Sequence, residues 1–534
     1  MPVNTHTFPF RRHALAMALA LFAGTVQAST INVSGSCTLI NAINNANTDT
    51  DTDGVGACVA GSGADTLKLV ANKVYALSAE DNYADGEGEN GLPSVTSVIT
   101  ISGNNATLQR AQDVATPDFR LFHVAATGTL TINNLTLKNG NLSAYYLHGG
   151  AILNHGSLTL TNSSVVNNRA DNGGGIANLD GILVLTNSTV SGNQAIIGGG
   201  IATLGNAKGG TGLFKSSISG NKAIIAGGIF NDSTTVSISD STFDNNKAGR
   251  EGGALVNNKA TVTLSHSTVS GNQANMTGGG IINNNSSSLT LTNSTISGNK
   301  TAGIGSAIIN SNNSSLSLTH TTIANNGGKG VNNQSALLLV NSLITNSGAG
   351  DCQNTGFTIL KGNNLIKDGS CGAMLTGSAK LGLLLDNGGA TLTHALLNLS
   401  PALNAADTQC SDNDQRGIAR SQPRCDLGAF ERVPGVAGSV TGIVQFFDEQ
   451  LSGGGIQGVG STPQQRSRAL RNQLLAAGYY KDSKQTGLAC HQLTHTLRYI
   501  DTDNTPDSND YVTGNQAAAL VAEINTLRGL FFCP

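Results

Sequence analysis

The chain has 534 residues, 67 of them Gly and none Trp, and its 30 Lys and Arg against 33 Asp and Glu leave a net charge of −3. That balance excludes the basic surface a nucleic-acid partner requires, and it excludes polybasic attachment to anionic lipid. With 12% charged residues and so much Gly, one long repetitive body is expected rather than several ordinary domains.

The chain opens on a leader pattern. Arg11 and Arg12 precede an apolar run from Ala14 to Val26, which ends in VQA at Val26 to Ala28. Residues 1–28 therefore read as a signal peptide. No second long apolar stretch follows, so no transmembrane segment is expected and the mature chain is assigned outside the cell, at its surface or on an outer membrane. Eight cysteines fall into near neighbours, Cys37/Cys58, Cys352/Cys371, Cys410/Cys425 and Cys490/Cys533. In an exported chain without paired metal-ligand spacing these read as four local disulfides.

Residues 29–66 form the expected N-terminal cap. Ile31 to Val33 begins a strand, and Leu39, Ile43 and Ala46 recur at helical spacing, as in a short amphipathic helix over the first coil. Asp49, Asp51, Asp53 and Gly54 follow the first half of a calcium loop, but the twelfth position is Ala60 rather than Glu. Both a solvated acidic turn and a calcium site are compatible with that pattern. Asp81 to Asn90 is a second acidic loop, with no ligand spacing of its own.

Residues 67–432 are the repetitive body. Alternation is clearest first from Thr96 to Leu108 and from Leu130 to Leu137. From Gly149 to Asn326 a Gly-Gly marker then recurs every 25 to 28 residues, ending at Gly150, Gly175, Gly200, Gly228, Gly253 and Gly280, with Ser306 in a worn copy. Between markers the apolar residues alternate, as in Leu158/Leu160, Leu183/Leu185, Val262/Leu264 and Leu289/Leu291. Strand spacing at this period leaves room for about three short strands and tight turns in each coil, too little for a crossover helix. The expected fold class is mainly β: a right-handed parallel β-helix, a pectate-lyase-like solenoid, followed by a small α-helical bundle.

Two columns refine this reading. Asn168, Asn193, Asn221, Asn246, Asn272, Asn299 and Asn326 hold one position in seven coils, as a buried ladder of stacked amides would. A neighbouring column (Asn134, Asn162, Asn187, Lys215, Asp240, His266, Asn293, His320 and Asn341) admits charge and is expected at the surface. The outward strand positions are short and neutral, as in Thr131, Thr159/Thr161, Ser237/Ser239, Thr263/Ser265, Thr290/Thr292 and Ser317/Thr319, broken by Val184, Phe214 and Leu338, and are compatible both with a solvated face and with a hydroxyl array that meets a glycan or another surface.

After Leu399 come DQRG at Asp414 to Gly417, Arg420, and CDLGAFE at Cys425 to Glu431. Arg416 is expected to pair with Asp426 or Glu431, and Phe430 to plug the last coil. Val433 to Gly435 reads as a hinge. Helical periodicity follows over Val440 to Leu451, Pro463 to Ala477, Ser483 to Ile500 and Thr513 to Leu530, giving a helical domain over 436–534. Thr462 before Pro463 is a predicted N-cap, and Thr513 with Gln516 a predicted capping box. His491 and His495, at i and i+4, lack a third ligand.

Several of these motifs resemble known families. CTLINAINNAN from Cys37 to Asn47, followed by GADTL from Gly63 to Leu67, resembles the opening of bacterial exported β-helix proteins, with Ile40 and Asn41 where that opening has Arg and Glu. FDNN at Phe243 to Asn246 with GGAL at Gly252 to Leu255 resembles the polymorphic outer-membrane protein repeat. DQRG and CDLGAFE are very similar to the ending of choice-of-anchor Q domains, and the order of the last helices resembles the FIMAH module. These resemblances imply a bacterial exported surface protein.

Function must be read from residues, because the fold class also carries polysaccharide lyases and hydrolases. Asp240, Asp244 and Arg250 come from one coil and form the best candidate catalytic cluster, while Tyr145, Tyr146, Phe230 and Phe243 are too scattered to line a sugar groove. The expected function is a non-catalytic, adhesin-like scaffold, monomeric and without a cofactor, binding a glycan or another cell-surface partner. The alternative is a carbohydrate-active enzyme of the pectate-lyase-like class. Calcium at Asp49, Asp51 and Asp53 is the one metal the sequence suggests.

Overall fold

The computed structural model describes residues 28–534 except 53, 55, 84–86, 143–146, 206–208, 303–305, 398–399, 408–409, 421–423, 433–439, 504, 508 and 534. The signal-peptide region through 27, Tyr145, Tyr146 and the hinge from Val433 lie outside the described residues.

Alternating apolar residues give parallel strands stacked in register on three walls. Along the first wall Ile152, Ile176, Ile201, Ile229, Leu255, Ile281, Ile308 and Val331 pair in sequence and are fully buried or nearly so. The second wall stacks Leu158, Leu183, Thr211, Val236, Val262, Leu289, Leu316 and Leu337, and the third stacks Val165, Val190, Ile218, Phe243, Val269, Ile296, Ile323 and Ile344. No coil can bury its own apolar rim, so each neighbour removes it from water and one continuous core results. The chain is a mainly β parallel β-helix.

The two bends that shape a coil explain its polar repeats. Between the second and third walls one residue takes a left-handed conformation, at Asn162, Asn187, Lys215, Asp240, His266, Asn293, His320 and Asn341. The residue after it turns inward. There Ser163, Ser188, Ser216, Ser241 and Ser267 each donate their backbone N–H to the hydroxyl of the next coil, at 3.0 to 3.3 Å. After the third wall a second left-handed residue, Gly in the Ser-Gly-Asn phrase, turns the ladder asparagine inside.

That asparagine column is the expected buried ladder. All seven residues are at most 1% exposed, and from Asn168 to Asn299 each Nδ2 donates to the Oδ1 of the next coil at 2.9 to 3.1 Å. The same Oδ1 accepts the preceding asparagine's backbone N–H, so one side chain satisfies groups in two coils. A second amide column, not anticipated from the sequence, runs along the end of the first wall through Asn231, Asn257, Asn283, Asn310, Asn333 and Asn354 at 2.7 to 3.0 Å. Asn154 and Asn178 begin it, and the hydroxyls of Thr203, Thr211 and Thr234 bridge the interruption.

At the amino-terminal end helix α1 (Leu39–Thr48) starts at Thr38, whose hydroxyl accepts the Asn41 N–H at 3.1 Å. Leu39, Ala42, Ile43 and Ala46 lie against Ile31 and Val33, closing the core. Four disulfides join the cysteine pairs expected from the sequence. They fit an oxidising compartment outside the cytoplasm. No helix among the described residues is long and apolar enough to cross a membrane.

The carboxyl-terminal part departs from expectation. The described residues of 386–431 do not plug the last coil; they fold back along the third wall and cover five coils from the side. Gln415 bonds Thr268 and Thr295 of successive coils at 2.9 and 2.7 Å, and the Ala429 N–H reaches the Thr322 hydroxyl at 2.9 Å. Phe430 packs with Leu343 and Leu365, the next residues of that outward row, instead of entering the core. This return also corrects the expectation of a uniformly exposed bend column. Asn134, Asn162, Asn187 and Lys215 are exposed, whereas Asn293, His320 and Asn341 are buried beneath it. Asn293 there takes Arg420 Nη2 at 2.9 Å, and Asn341 donates to Asp407 at 3.1 Å.

Four helices follow: α2 (Val440–Gly453), α3 (Pro463–Asp482), α4 (Thr486–Leu497) and α5 (Ala517–Leu530). Phe447, Leu470, Leu474, Leu493, Leu520 and Ile524 form their shared core. Two predicted caps are replaced. Thr462 makes no side-chain cap bond, and Thr513 lies in a short strand with its hydroxyl on Asp501 at 2.5 Å, so α5 begins only at Ala517. Buried Arg471 of α3 pairs with Asp448 of α2 at 2.9 Å and also donates to the Asp386 carbonyl at 2.6 Å, which docks the helices on the returning segment.

Candidate functional site

The candidate catalytic trio occupies three corners of its coil. Asp240 is a half-buried bend residue, Asp244 ends a third-wall strand, and Arg250 is exposed in the short strand Lys247–Glu251. Asp244 accepts from Ser270 at 3.2 Å and from Asn245 at 2.5 Å. Among the described residues no ion pair links the three. The calcium candidates serve their own loop: Asp49 accepts the Gly63 N–H at 2.8 Å and Asp51 the Gly54 N–H at 3.3 Å. Asp53 lies outside the described residues. His491 and His495 stack with ring centres 6.5 Å apart, and His495 faces the Tyr499 hydroxyl at 3.2 Å. Phe243 is an interior residue and Phe230 is half-buried.

The DQRG and CDLGAFE motifs meet in one buried polar cluster, with partners other than those expected. Arg416 pairs with Asp414 at 2.7 Å, lies over the Phe430 ring at 3.7 Å and donates to the Glu431 carbonyl at 2.5 Å. Arg420 takes the Glu431 carboxylate at 3.2 Å. Asp426 accepts the N–H groups of Asn404 and Arg432. Burial, reinforced by the Glu431 charge, pushes Asp426 up to about 6 despite those bonds. Elsewhere on the returning segment His394 donates from Nδ1 to the Gly382 carbonyl and accepts at Nε2 from Ser297, both at 2.8 Å. Full burial pushes this imidazole down to about 4. The cluster's hydrogen bonds are spent on its own backbone and on the solenoid, which is the chemistry of a fastening.

A different arrangement lies near the amino-terminal end. The hairpin formed by Asn82–Tyr83 and Glu89–Asn90 holds Glu87, whose Oε2 is 2.8 Å from Nε2 of His155. His123 lies one coil earlier on the first wall, with Nδ1 2.8 Å from the Ser94 hydroxyl and its ring centre 5.7 Å from that of His155. One donor atom each from Glu87, His123 and His155 fall within 4.8 Å of one another. Behind them fully buried Arg120 holds the hairpin through the Glu87 carbonyl and through Asn90 Oδ1 at 3.0 Å. Its burial lowers the guanidinium to about 10, against the pull of Glu87 and Glu89. His148 is also pushed down by burial, and its Nδ1 is buried without a hydrogen-bond partner among the described residues. Sequence reasoning missed this group because its members are more than 30 positions apart; only the stacking of coils makes His123 and His155 neighbours.

No family model matches the chain, and no curated protein matches it by sequence. Among solved structures it is similar to the pectate lyase Pel9A, with a TM-score of 0.35 and 13% identity over 69% of this chain and 88% of that one.

Proposed function

We propose that the chain is an exported, non-catalytic surface scaffold whose second wall meets a glycan or another neutral surface. The domain plan that goes with this reading is a signal peptide over 1–28, a cap over 29–66, a solenoid over 67–432 ending in a choice-of-anchor Q motif, and a FIMAH-like helical module over 436–534. The polymorphic outer-membrane protein-like repeats, an adhesin-like role and a monomeric state belong to the same proposal.

One observation carries it. In the eight consecutive second-wall strands from Thr129–Lys138 to Ser315–Thr319, no outward position before the bend is charged or titratable. These positions are chiefly Ser and Thr, with Ile182, Val184 and Phe214 among them, and among the described residues no other segment is paired over this wall. Strands about 4.8 Å apart give a flat hydroxyl array roughly 34 Å long. Such a face has hydrogen-bonding capacity and no acid or base to turn a substrate over.

The purified mature chain would be screened on a glycan array and on intact bacterial and host surfaces, and in parallel incubated with pectins, alginates and other uronates, with and without calcium. Retention that is lost in Thr263→Lys and Thr290→Lys, without unsaturated products, is the expected result. Robust turnover abolished by Asp240→Ala or Asp244→Ala would instead make the chain a carbohydrate-active enzyme.

A further inference from the structure

We propose that Glu87, His123 and His155 hold a divalent transition metal of the zinc class, which fastens the hairpin strands Asn82–Tyr83 and Glu89–Asn90 to the first wall. Two imidazoles and one carboxylate are a donor set suited to zinc, cobalt or nickel, and unlike the all-oxygen shell that calcium requires. Their donor atoms, within 4.8 Å of one another, lie close to the spacing of roughly 3.4 Å implied by a tetrahedral ion with bonds of about 2.1 Å. Replacing the 2.8 Å contact between Glu87 and His155 by two metal bonds needs only a modest side-chain adjustment.

The surroundings are those of a prepared site. Ser94 orients the His123 ring through Nδ1, and Arg120 anchors the hairpin on both sides of Gly88 by binding Glu87 and Asn90. Metal sites depend on such supporting bonds to hold their ligands in place. The strand pattern places the histidines together: His123 pairs with Leu153 of the next coil, and His155 lies two residues beyond on the same outward face. The His155 and Glu87 side chains are 25% and 31% exposed, so a water can complete the shell. Arg120 brings a positive charge near the ion, but its nitrogens are committed to the Glu87 and His148 carbonyls and to Asn90.

The test uses the full mature chain without an affinity tag, stripped with chelator and titrated with Zn(II) by calorimetry and with Co(II) by visible absorption. One ion per chain is expected, with the d–d bands of a low-coordinate site. His123→Ala and His155→Ala should each weaken binding by about 100-fold or more, and Ser94→Ala by about tenfold. His491→Ala with His495→Ala should leave it unchanged, and metal-free melting of every variant should match the parent. The proposal is overturned if the parent binds no Zn(II), if binding persists in both His123→Ala and His155→Ala, or if it disappears with the His491 and His495 pair.

Discussion

The Ser297 hydroxyl and the His394 imidazole meet at 2.8 Å across 97 positions of sequence, and the bond fixes the returning segment to the third wall. Burial favours the neutral ring, in which Nδ1 donates to the Gly382 carbonyl and Nε2 accepts from Ser297. The folded imidazole titrates near 4, below its ordinary 6.5. A depressed histidine contributes stability that is fully present above 6.5 and is lost as pH falls toward 4, since the unfolded chain takes the proton first. The parent should lose about 2 kcal/mol at pH 5 relative to pH 7.5 from this residue alone. His394→Gln should remove that share of the slope. Denaturant melts at the two pH values check it, and an unchanged slope would refute the assignment.

Asp426 has the opposite sign. Its folded carboxyl titrates near 6 against an ordinary 3.8, so its contribution is intact below about 4 and declines as pH rises through 6. In Asp426→Asn, stability measured relative to the parent should improve by about 3 kcal/mol at most between pH 4 and pH 7. A relative stability that stays level over that range would mean the carboxyl titrates normally.

The amide ladder should be far more sensitive than the turn beside it. Asn246→Ala removes the acceptor for the Asn221 N–H and Nδ2, along with the donor to the Ile218 carbonyl and Asn272. Leaving such groups unsatisfied inside the core should destabilise the solenoid by about 2 to 4 kcal/mol. Asn245→Gly, at an exposed left-handed position one residue earlier, should stay within about 0.5 kcal/mol. Equal losses at both sites would contradict the ladder.

Arg471 should control the docking of the helices. Arg471→Met leaves Asp448, already pushed up by burial, without its partner, and removes the bond to Asp386. Breaking a buried pair in this way destabilises by about 3 to 5 kcal/mol. Hydrogen exchange should accelerate through 440–530 while the ladder coils keep their protection; protection retained in α2 and α3 would show that the pair is dispensable.

How much of this was legible depends on the range of each interaction. Alternation in Leu289/Leu291 and the fixed place of Asn246 are local signals, so the walls and the first ladder followed from them. The second ladder had a signal too, in the Asn three or four residues after the end of each Gly-Gly marker, but Thr203 interrupts it. Arg416 and Phe430 were recognisable as structural, yet nothing local says which surface a segment will cover, so a lateral fastening read as a plug. Asn293 and Asn187 look identical in sequence. Only one of them lies beneath the returning chain.

The ladders also give the molecule a direction. In both amide columns each Oδ1 that is bonded along the column accepts from the asparagine of the preceding coil, and the matching Nδ2–H donates toward the carboxyl-terminal coil, from Asn168 to Asn326 and from Asn231 to Asn354. Their dipoles therefore add instead of cancelling, with the negative pole at the helix-capped end and the positive pole at the far end.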